Sequence, residues 1–437
     1  MTPPDRPGAA DADGAGDAVS SGPGAPRPAA ADARRFVVLL GWVSLLADLC
    51  YEGLRAAVGP YLATLGASAT AVGIVAGTGE MLGYALRYLS GLIADRTGRY
   101  WLLTFLGYAS NLVAAPLLAV TAAFTTWWPA VAVLVAIERL GKAIRSPAKS
   151  TLTSFAAKQL GAGKAFAIAE AMDQVGGMLG PLLVAAVLWR WSAGQTGFTV
   201  AFAVLTVPAV ACLAVLSRAR RAFPDPRSLE RGPESATATA AGLPPRVRLY
   251  LLGVALIAIG LADWPLLAFH FERTGAFTGP TVMIAYAAAM AFDGLVSAAV
   301  GPWFDRARAA GGSGGRVLAA CLVASAGYGV LALVAEARWV IALGIALWAA
   351  GRAATDAIAK ALIAIHVPAA SRGRAYGLYY VVFGLAWWLG SVALGLLYDR
   401  ASALAAAILA AVALVCGAGV VLLATERRPA ASSTREP

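Results

Sequence analysis

Charged residues are scarce in this chain of 437 residues and make up only 14% of it. An ordinary soluble domain carries about 25%. Hydrophobic residues supply 59% of the sequence, which is more than one water-surrounded core can hide. The shortage of charge therefore excludes an ordinary soluble domain and indicates that lipid surrounds most of the chain.

Cysteine and histidine are also scarce, with four and two residues respectively. The cysteines all lie in apolar segments without metal-ligand spacing, which indicates buried thiols. They are Cys50, Cys212, Cys321 and Cys416. Two histidines leave little for a catalytic centre, and the phosphate-binding sequence Gly-x-x-x-x-Gly-Lys-Ser/Thr is absent. We expect no bound metal, no cofactor and no enzymatic activity.

Long apolar runs are what the sequence does contain. A helix needs about 20 such residues to cross about 30 Å of hydrocarbon, and helices are expected because lipid leaves open sheet edges unsatisfied. Twelve runs qualify. We predict spans at 36–62, 70–93, 100–121, 127–149, 164–189, 197–217, 248–270, 279–303, 317–335, 338–361, 373–397 and 402–424.

Basic residues mark one side of the predicted membrane. Loops on that side contain Arg96, Arg145 and Arg220, whereas the other side holds isolated arginines such as Arg190. Basic loops stay in the cytoplasm, which predicts a multi-pass protein of the cell inner (plasma) membrane with both termini cytoplasmic. Although the formal net charge is +11, this spread between apolar runs argues against a nucleic-acid partner.

The polar, proline-containing stretch in mid-chain divides the spans six and six. The predicted organisation is a disordered cytoplasmic tail (1–33), an N-terminal six-helix bundle (34–217), a cytoplasmic linker (218–247), a C-terminal six-helix bundle (248–425) and a second cytoplasmic tail (426–437).

The two halves share glycine and charged positions at a constant offset of 210 residues (301 minus 91). The matching positions are Gly91 and Gly301, Asp95-Arg96 and Asp305-Arg306, Gly141-Lys142 and Gly351-Arg352, and Gly180 and Gly390. Every third span also lacks charge in its interior, as a lipid-facing helix should. The pattern indicates duplicated halves related by an axis along the membrane normal, an architecture that transporters use.

The sequence between spans two and three carries a recognisable motif, Gly91-Leu-Ile-Ala-Asp95-Arg96-Thr-Gly98-Arg99. It resembles the cytoplasmic loop motif of the major facilitator superfamily. We expect Gly98 to form a tight turn and Asp95 to pair with a basic group or a helix N-terminus. A second copy, Gly301-Pro-Trp-Phe-Asp305-Arg306, departs from the pattern afterwards. These residues form the expected cytoplasmic gating loops.

Two further stretches, Glu138–Pro147 and Asp48–Glu52, resemble a bacterial subgroup of efflux-like permeases within that superfamily. The resemblance covers about 36–424. It implies an all-α membrane protein with twelve transmembrane helices in two pseudo-symmetric six-helix bundles, working by alternating access.

Span five contains Gly176-Gly177-Met-Leu-Gly180-Pro181, which looks like the core of the antiporter motif of drug/proton exchangers. The glycines that should follow are replaced by Val184 and Ala185. The alternative is a small-residue packing face with a proline kink, which transmembrane helices use widely.

Asp48, Glu52 and Arg55 share one face of span one, because their spacings are four and three. Asp48 lies about 20 Å along a helix from Arg35, near the middle of the membrane. An unpaired ionised carboxylate there costs several kcal/mol. It should therefore be paired or protonated, and both states suit a proton-coupled carrier. A static pair of Glu52 with Arg55 is the simpler alternative.

Charges inside other spans are candidates for the same reason. We predict roles in proton coupling or the substrate cavity for Glu80, Arg87, Glu138, Asp173, Asp263 and Asp293. Glu80 should find its partner on span one, four or five rather than in Arg87. The spacing pairs Asp356 with Lys360, and His270 is expected near the outer surface.

The predicted function is proton-coupled efflux of a small organic molecule by antiport. A proton-coupled uptake symporter for a sugar, organic acid or peptide is the alternative, and a non-transporting membrane receptor is a third hypothesis. The expected partners are the substrate, protons and the lipid bilayer, and the protein is expected to be a monomer.

Overall fold

The computed structural model describes residues 30–160, 162–226, 245–367 and 372–426. All regular structure among these residues is helical. The helices are α1 (Ala30–Thr64), α2 (Ala69–Thr97), α3 (Tyr100–Phe124), α4 (Trp128–Leu160), α5 (Ala162–Trp191), α6 (Gln195–Ala222), α7 (Pro245–Gly260), α8 (Trp264–Thr274), α9 (Pro280–Ala309), α10 (Gly315–Ser325), α11 (Tyr328–Leu333), α12 (Arg338–His366), α13 (Arg372–Arg400) and α14 (Ala403–Thr425).

Eleven segments of the described chain are long and apolar enough to cross a membrane. Two of them contain a break, one between α7 and α8 and the other between α10 and α11. Helix α4 is long enough, at 33 residues, but its middle contains several charged residues, among them Glu138, Arg139 and Lys142. The all-helical membrane fold is thus confirmed, whereas a count of twelve crossings depends on α4 and stays a prediction.

The helices extend beyond the predicted spans. Helix α1 begins at Ala30, α4 continues to Leu160, α6 ends only at Ala222 and α7 begins at Pro245, because polar residues near the membrane surface can prolong a helix whose apolar part has ended. The predicted tail and linker are therefore helical at their edges. Most of their residues, and the whole second tail beyond Glu426, lie outside the described part of the chain.

The two halves use the same helix pairings. In the first half α1 packs against α5 and α6, α2 against α4, and α3 against α4 and α6; in the second half α7 packs against α13 and α14, α9 against α12, and α10 against α12 and α14. Gly180 approaches the backbone of Leu49, and Gly390 approaches that of Ile259. Both contacts fit the 210-residue offset, so the internal repeat is visible in three dimensions.

The halves meet through α2 with α13, α5 with α9, and α1 with α8. We call the end where α2 stops and α13 starts the basic end, and the other the opposite end. At the opposite end the Asp399 carboxylate accepts hydrogen bonds from the Thr70 amide (2.7 Å), the Thr70 hydroxyl (2.6 Å) and the Ala69 amide (3.1 Å). Asp399 lies on α13 and these donors begin α2, so these bonds join the halves at that end.

Asp95 has the corresponding place at the basic end, but its side chain is exposed and has no ion-pair partner among the described residues. The expected pairing of Asp95 is thus not seen among the described residues and stays a prediction. Gly98 does form the expected tight turn, with a left-handed φ of 62° that ends α2.

The sequence predicted span seven as one continuous helix, but the structure divides it into α7 and α8. Asp263 caps the N-terminus of α8 after a break, and the open peptide groups find partners on other helices. The Tyr328 hydroxyl donates to Gly260 O and accepts from Ala262 N, both at 2.8 Å, and Trp348 Nε1 donates to Ala262 O at 2.8 Å.

His270 lies near the opposite end, as expected, but it is not the surface histidine that the sequence suggested. His270 is buried, and its Nδ1 lies 2.8 Å from the Tyr398 hydroxyl on α13. A contact with another helix of the same half, which sequence spacing does not show, places it in the interior.

Candidate functional site

Arg55 on α1 is the centre of a buried group of charges and is 4% exposed. Its guanidinium lies 2.6 Å from Asp263 Oδ1, 3.6 Å from Glu80 Oε1 and 3.9 Å from Glu52 Oε1. Because Asp263 belongs to the second half, the shortest of these contacts joins the two halves. Removing one partner of a buried ion pair of this kind strongly destabilises the folded protein, because the other charge stays buried without compensation.

The same charges continue into α4. Arg139 lies 3.7 Å from Glu80 Oε1 and 3.5 Å from Glu138 Oε2, and Arg145 lies 4.0 Å from Glu138 Oε1. The Tyr51 hydroxyl donates to Glu80 at 3.3 Å. We call the set Glu52, Arg55, Glu80, Glu138, Arg139, Arg145 and Asp263 the ion-pair network.

A cavity of about 610 Å³ lies beside the ion-pair network. It runs from the middle of α1 toward the basic ends of α4 and α5. Only three lining residues lack a polar side chain, namely Ala169, Gly177 and Met290. The polar lining residues are Asp48, Glu52, Arg87, Lys142, Ser146, Lys149, Ser150, Thr153, Glu170, Asp173, Gln174 and Arg352. The lining favours a polar or charged molecule over an apolar one.

Several lining charges are paired within the protein. Lys149 Nζ lies 3.1 Å from Asp173 Oδ2, and the Tyr286 hydroxyl donates to Glu52 Oε2 at 2.6 Å. Because Tyr286 is on α9, Glu52 also contacts the second half.

Arg352 on α12 joins two carboxylates. It lies 3.1 Å from Asp293 Oδ2 and 3.7 Å from Asp356 Oδ2. The predicted pair of Asp356 with Lys360 is wrong, because Arg352 is one turn away on the same helix and is itself held by α9 through Asp293.

Four lining charges form no ion pair with any described residue: Asp48, Arg87, Lys142 and Glu170, the last of which accepts a hydrogen bond from Gln174. Aromatic rings hold the two cations instead. The Arg87 guanidinium lies 5.0 Å from the Tyr84 ring centroid, and Lys142 Nζ lies 3.5 Å from the Tyr51 ring centroid. Such cation–π contacts leave N–H groups free to donate to a bound molecule.

Most of the candidates from the sequence come together here. Asp48, Glu52, Arg87 and Asp173 line the cavity. Arg55, Glu80, Glu138 and Asp263 belong to the ion-pair network behind it, and Asp293 reaches the cavity only through Arg352. The role of each residue in transport remains a prediction.

The gating-loop candidates lie elsewhere, at the basic ends of α2 and α9. They are Gly91, Asp95, Arg96, Gly98, Arg99, Asp305 and Arg306. None of these residues lines the cavity that the described chain forms.

The glycine motif of α5 faces α1. A side chain on Gly176 would overlap the carbonyl of Leu45, and one on Gly180 that of Leu49. Gly177 lines the cavity, and Pro181 lies within α5, which continues to Trp191. Close helix packing is thus what this motif accomplishes in the structure.

Sequence reasoning missed Arg139, Tyr286 and the pairing of Arg352. Two signals were available. Arg139 follows Glu138 within an apolar run, and an arginine at that depth needs a partner. Arg352 stands 210 residues after Lys142. Tyr286 gave no signal, because a tyrosine in a span is ordinary.

A polytopic helical bundle with a charged cavity between two similar halves defines a membrane transporter. The model of the Major Facilitator Superfamily matches residues 40–335, and the chain belongs to this superfamily.

A relative supports the assignment over nearly the whole chain. The protein Rv2265 of Mycobacterium tuberculosis H37Rv, described as uncharacterized, is 38% identical over 388 residues, which cover 88% of this chain and 91% of the relative.

Solved transporter structures share the fold. The nucleoside transporter NupG has a TM-score of 0.67 at 13% identity, over 90% of this chain and 100% of that chain. A POT family transporter in complex with 5-aminolevulinic acid has a TM-score of 0.66 at 12% identity, over 90% of this chain and 96% of that chain.

Proposed function

We propose that this chain is a proton-coupled antiporter that moves a small organic molecule out of a bacterial cell by alternating access. One observation carries the proposal. Arg55 and Asp263 join the two halves at 2.6 Å, directly behind a cavity whose wall contains the carboxylates of Asp48 and Glu52. Proton binding and movement of the halves can therefore influence each other through adjacent groups.

The basic end is the cytoplasmic end by the distribution of arginine and lysine, so the cavity faces the cytoplasm in this state. Asp48, which forms no ion pair with the described residues, is the proposed proton site. Glu52 transmits its state, because it contacts both Arg55 in its own half and Tyr286 in the other. Protonation that weakens these contacts favours separation of the halves at the opposite end.

Proton-coupled uptake is the second candidate, and two observations favour it. The cavity lining is polar, as a sugar, organic acid or peptide requires. The glycines of α5 pack against α1, so this motif does not by itself support export. The nucleoside transporter NupG and the POT family transporter in complex with 5-aminolevulinic acid show that this fold accommodates polar solutes.

The test uses purified full-length protein in proteoliposomes with an imposed pH gradient. A compound that raises the melting temperature in a library screen is then tested for flux. Asp48→Asn and Glu52→Gln should abolish gradient-driven flux while keeping the melting temperature within a few degrees. Glu336→Gln, which changes an exposed carboxylate outside the cavity, is the matched control and should transport normally. Normal flux in both cavity variants rules out their proposed coupling role.

The direction of proton movement separates the two candidates. Addition of substrate outside should drive protons into the vesicle lumen in symport and out of it in antiport. A pH-sensitive dye in the lumen records the sign directly.

A further inference from the structure

The charges of the cavity are sorted by helix. Its four acidic side chains come from α1 and α5, which pack together, and its four basic ones from α2, α4 and α12. The acidic residues are Asp48, Glu52, Glu170 and Asp173, and the basic ones are Arg87, Lys142, Lys149 and Arg352. The formal charge of the lining therefore sums to zero while its two sides differ in sign.

Pairing within the protein uses most of these charges but leaves both signs available. Asp173 is paired with Lys149, and Arg352 with Asp293. Glu52 accepts from Tyr286, and Glu170 accepts from Gln174 at 3.3 Å. Glu170 keeps its charge but is exposed to water. Among the described lining residues, one carboxylate, Asp48, and two cations, Arg87 and Lys142, have neither an ion-pair partner nor a side-chain hydrogen bond.

We infer that the transported molecule is a small zwitterion carrying an ammonium group and a carboxylate, as amino acids and short peptides do. This inference rests on the proposed transport function. Asp48 binds the ammonium group, and Arg87 and Lys142 bind the carboxylate. Each contact is a charge-assisted hydrogen bond, the stronger kind in proteins.

Other charge types fit this lining less well. An anion satisfies Arg87 and Lys142 but leaves an ionised Asp48 without a partner, and a cation leaves Arg87 and Lys142 without one. An uncharged sugar leaves all three unpaired, which costs free energy in a closed cavity. The volume of about 610 Å³ lies in the usual range for small-molecule pockets and leaves room for a short peptide.

Equilibrium binding to the purified full-length protein tests the inference. The probes are glycine, dialanine and trialanine, with N-acetyl-dialanine and dialanine amide as forms that each lack one charge. At least one of the three free zwitterions should bind. Blocking either end of dialanine, or of whichever zwitterion binds best, should weaken binding about tenfold or more, the effect of losing a hydrogen bond to a charged group.

Variants assign each end of the molecule to its residues. Asp48→Asn should remove the penalty for N-acetylation and keep that for amidation. Arg87→Gln combined with Lys142→Gln should do the opposite. Ser150→Ala, which changes an uncharged lining residue, should keep both penalties. Melting temperatures show that each variant is folded.

Equal binding of free and blocked forms, or no binding of any free zwitterion, overturns the inference. These outcomes are separable from failure of the proposed function. Proton-coupled flux of an uncharged solute preserves the function and removes the inference. Charge-dependent zwitterion binding without any response to a pH gradient preserves the inference and removes proton coupling.

Discussion

The two halves of the molecule share their packing but not their charges. Gly180 and Gly390 make equivalent backbone contacts. Yet Glu80 and Glu138 of the ion-pair network have Met290 and Trp348 as their counterparts 210 residues later. Duplication thus supplied the scaffold twice, whereas most of the buried charge among the described residues lies in the first half.

The counterparts in the second half have structural tasks instead. Trp348 binds the open peptide group at the break before α8, and Arg352 Nη2 lies 3.4 Å from Met290 Sδ. The second half contributes mainly Asp263 and Tyr286, which contact charges of the first. The difference teaches that the first half holds most of the ion-pair network, whereas the second half contacts it through a few polar side chains.

The largest effect is expected from Arg55→Gln, which removes the principal link between the halves. It leaves Glu80 and Asp263 as buried carboxylates with less compensation, so stability should fall by about 3–5 kcal/mol and transport should be lost. Thermal unfolding and flux measure the two effects. Arg55→Gln combined with Asp263→Asn should recover part of the stability. A single variant as stable as the wild type contradicts the importance of this link.

Lys142 and Arg352 occupy equivalent positions in the two halves, but their substitution should affect stability differently. Arg352→Met separates Asp293 from its ion-pair partner and should cost about 1.5–3 kcal/mol, the range for hydrogen bonds to charged groups. Lys142→Met removes a cation that pairs with no described carboxylate, so it should change substrate affinity more than the melting temperature. The comparison fails if both variants unfold at the same temperature.

The shared packing predicts equal effects of two glycine substitutions. In Gly180→Ala the new Cβ would lie 2.8 Å from Gly53 N, and in Gly390→Ala 2.5 Å from Ile259 Cα. Overpacking of this kind should destabilise each variant by about 1–3 kcal/mol. Gly301→Ala, where the new Cβ meets no atom within 4 Å, is the control and should unfold like the wild type. A clear difference between the first two variants argues against equivalent packing.

The smallest effect concerns Asp399, whose counterpart 210 residues earlier is the exposed Trp189. Asp399→Ala removes the hydrogen bonds to the start of α2 and should cost about 1 kcal/mol, as loss of a helix cap does. Hydrogen exchange of the Ala69 and Thr70 amides should accelerate locally. Trp189→Ala should leave both amides unchanged. Unaltered exchange in Asp399→Ala means that other contacts hold this end closed.

Sequence patterns could predict the helices, the repeat and the charged residues that are costly to bury in the membrane. These features depend on local composition and spacing, and Asp48, Glu52 and Glu80 stand out because ionised groups are rare in hydrocarbon. Partner choice depends on contacts between distant segments. The Asp263–Arg55 link spans 208 residues, and no periodicity reports it.

Conformation limits prediction as well. Asp95 belongs to a recognisable motif, but the motif does not tell whether the side chain is buried or exposed, and in this conformation it is exposed. Likewise, α4 is difficult to count as a span because its charges are compensated by other helices rather than by its own sequence.

The break in span seven makes the position of Asp263 depend on a residue in another helix. Tyr328 holds both the Gly260 carbonyl and the Ala262 amide. Without its hydroxyl, these dry peptide groups would gain most by bonding to their own helix. Rewinding would turn Asp263 about the helix axis and away from Arg55. Tyr328, which does not line the cavity, therefore helps to fix the position of Asp263 beside Arg55 from a third helix.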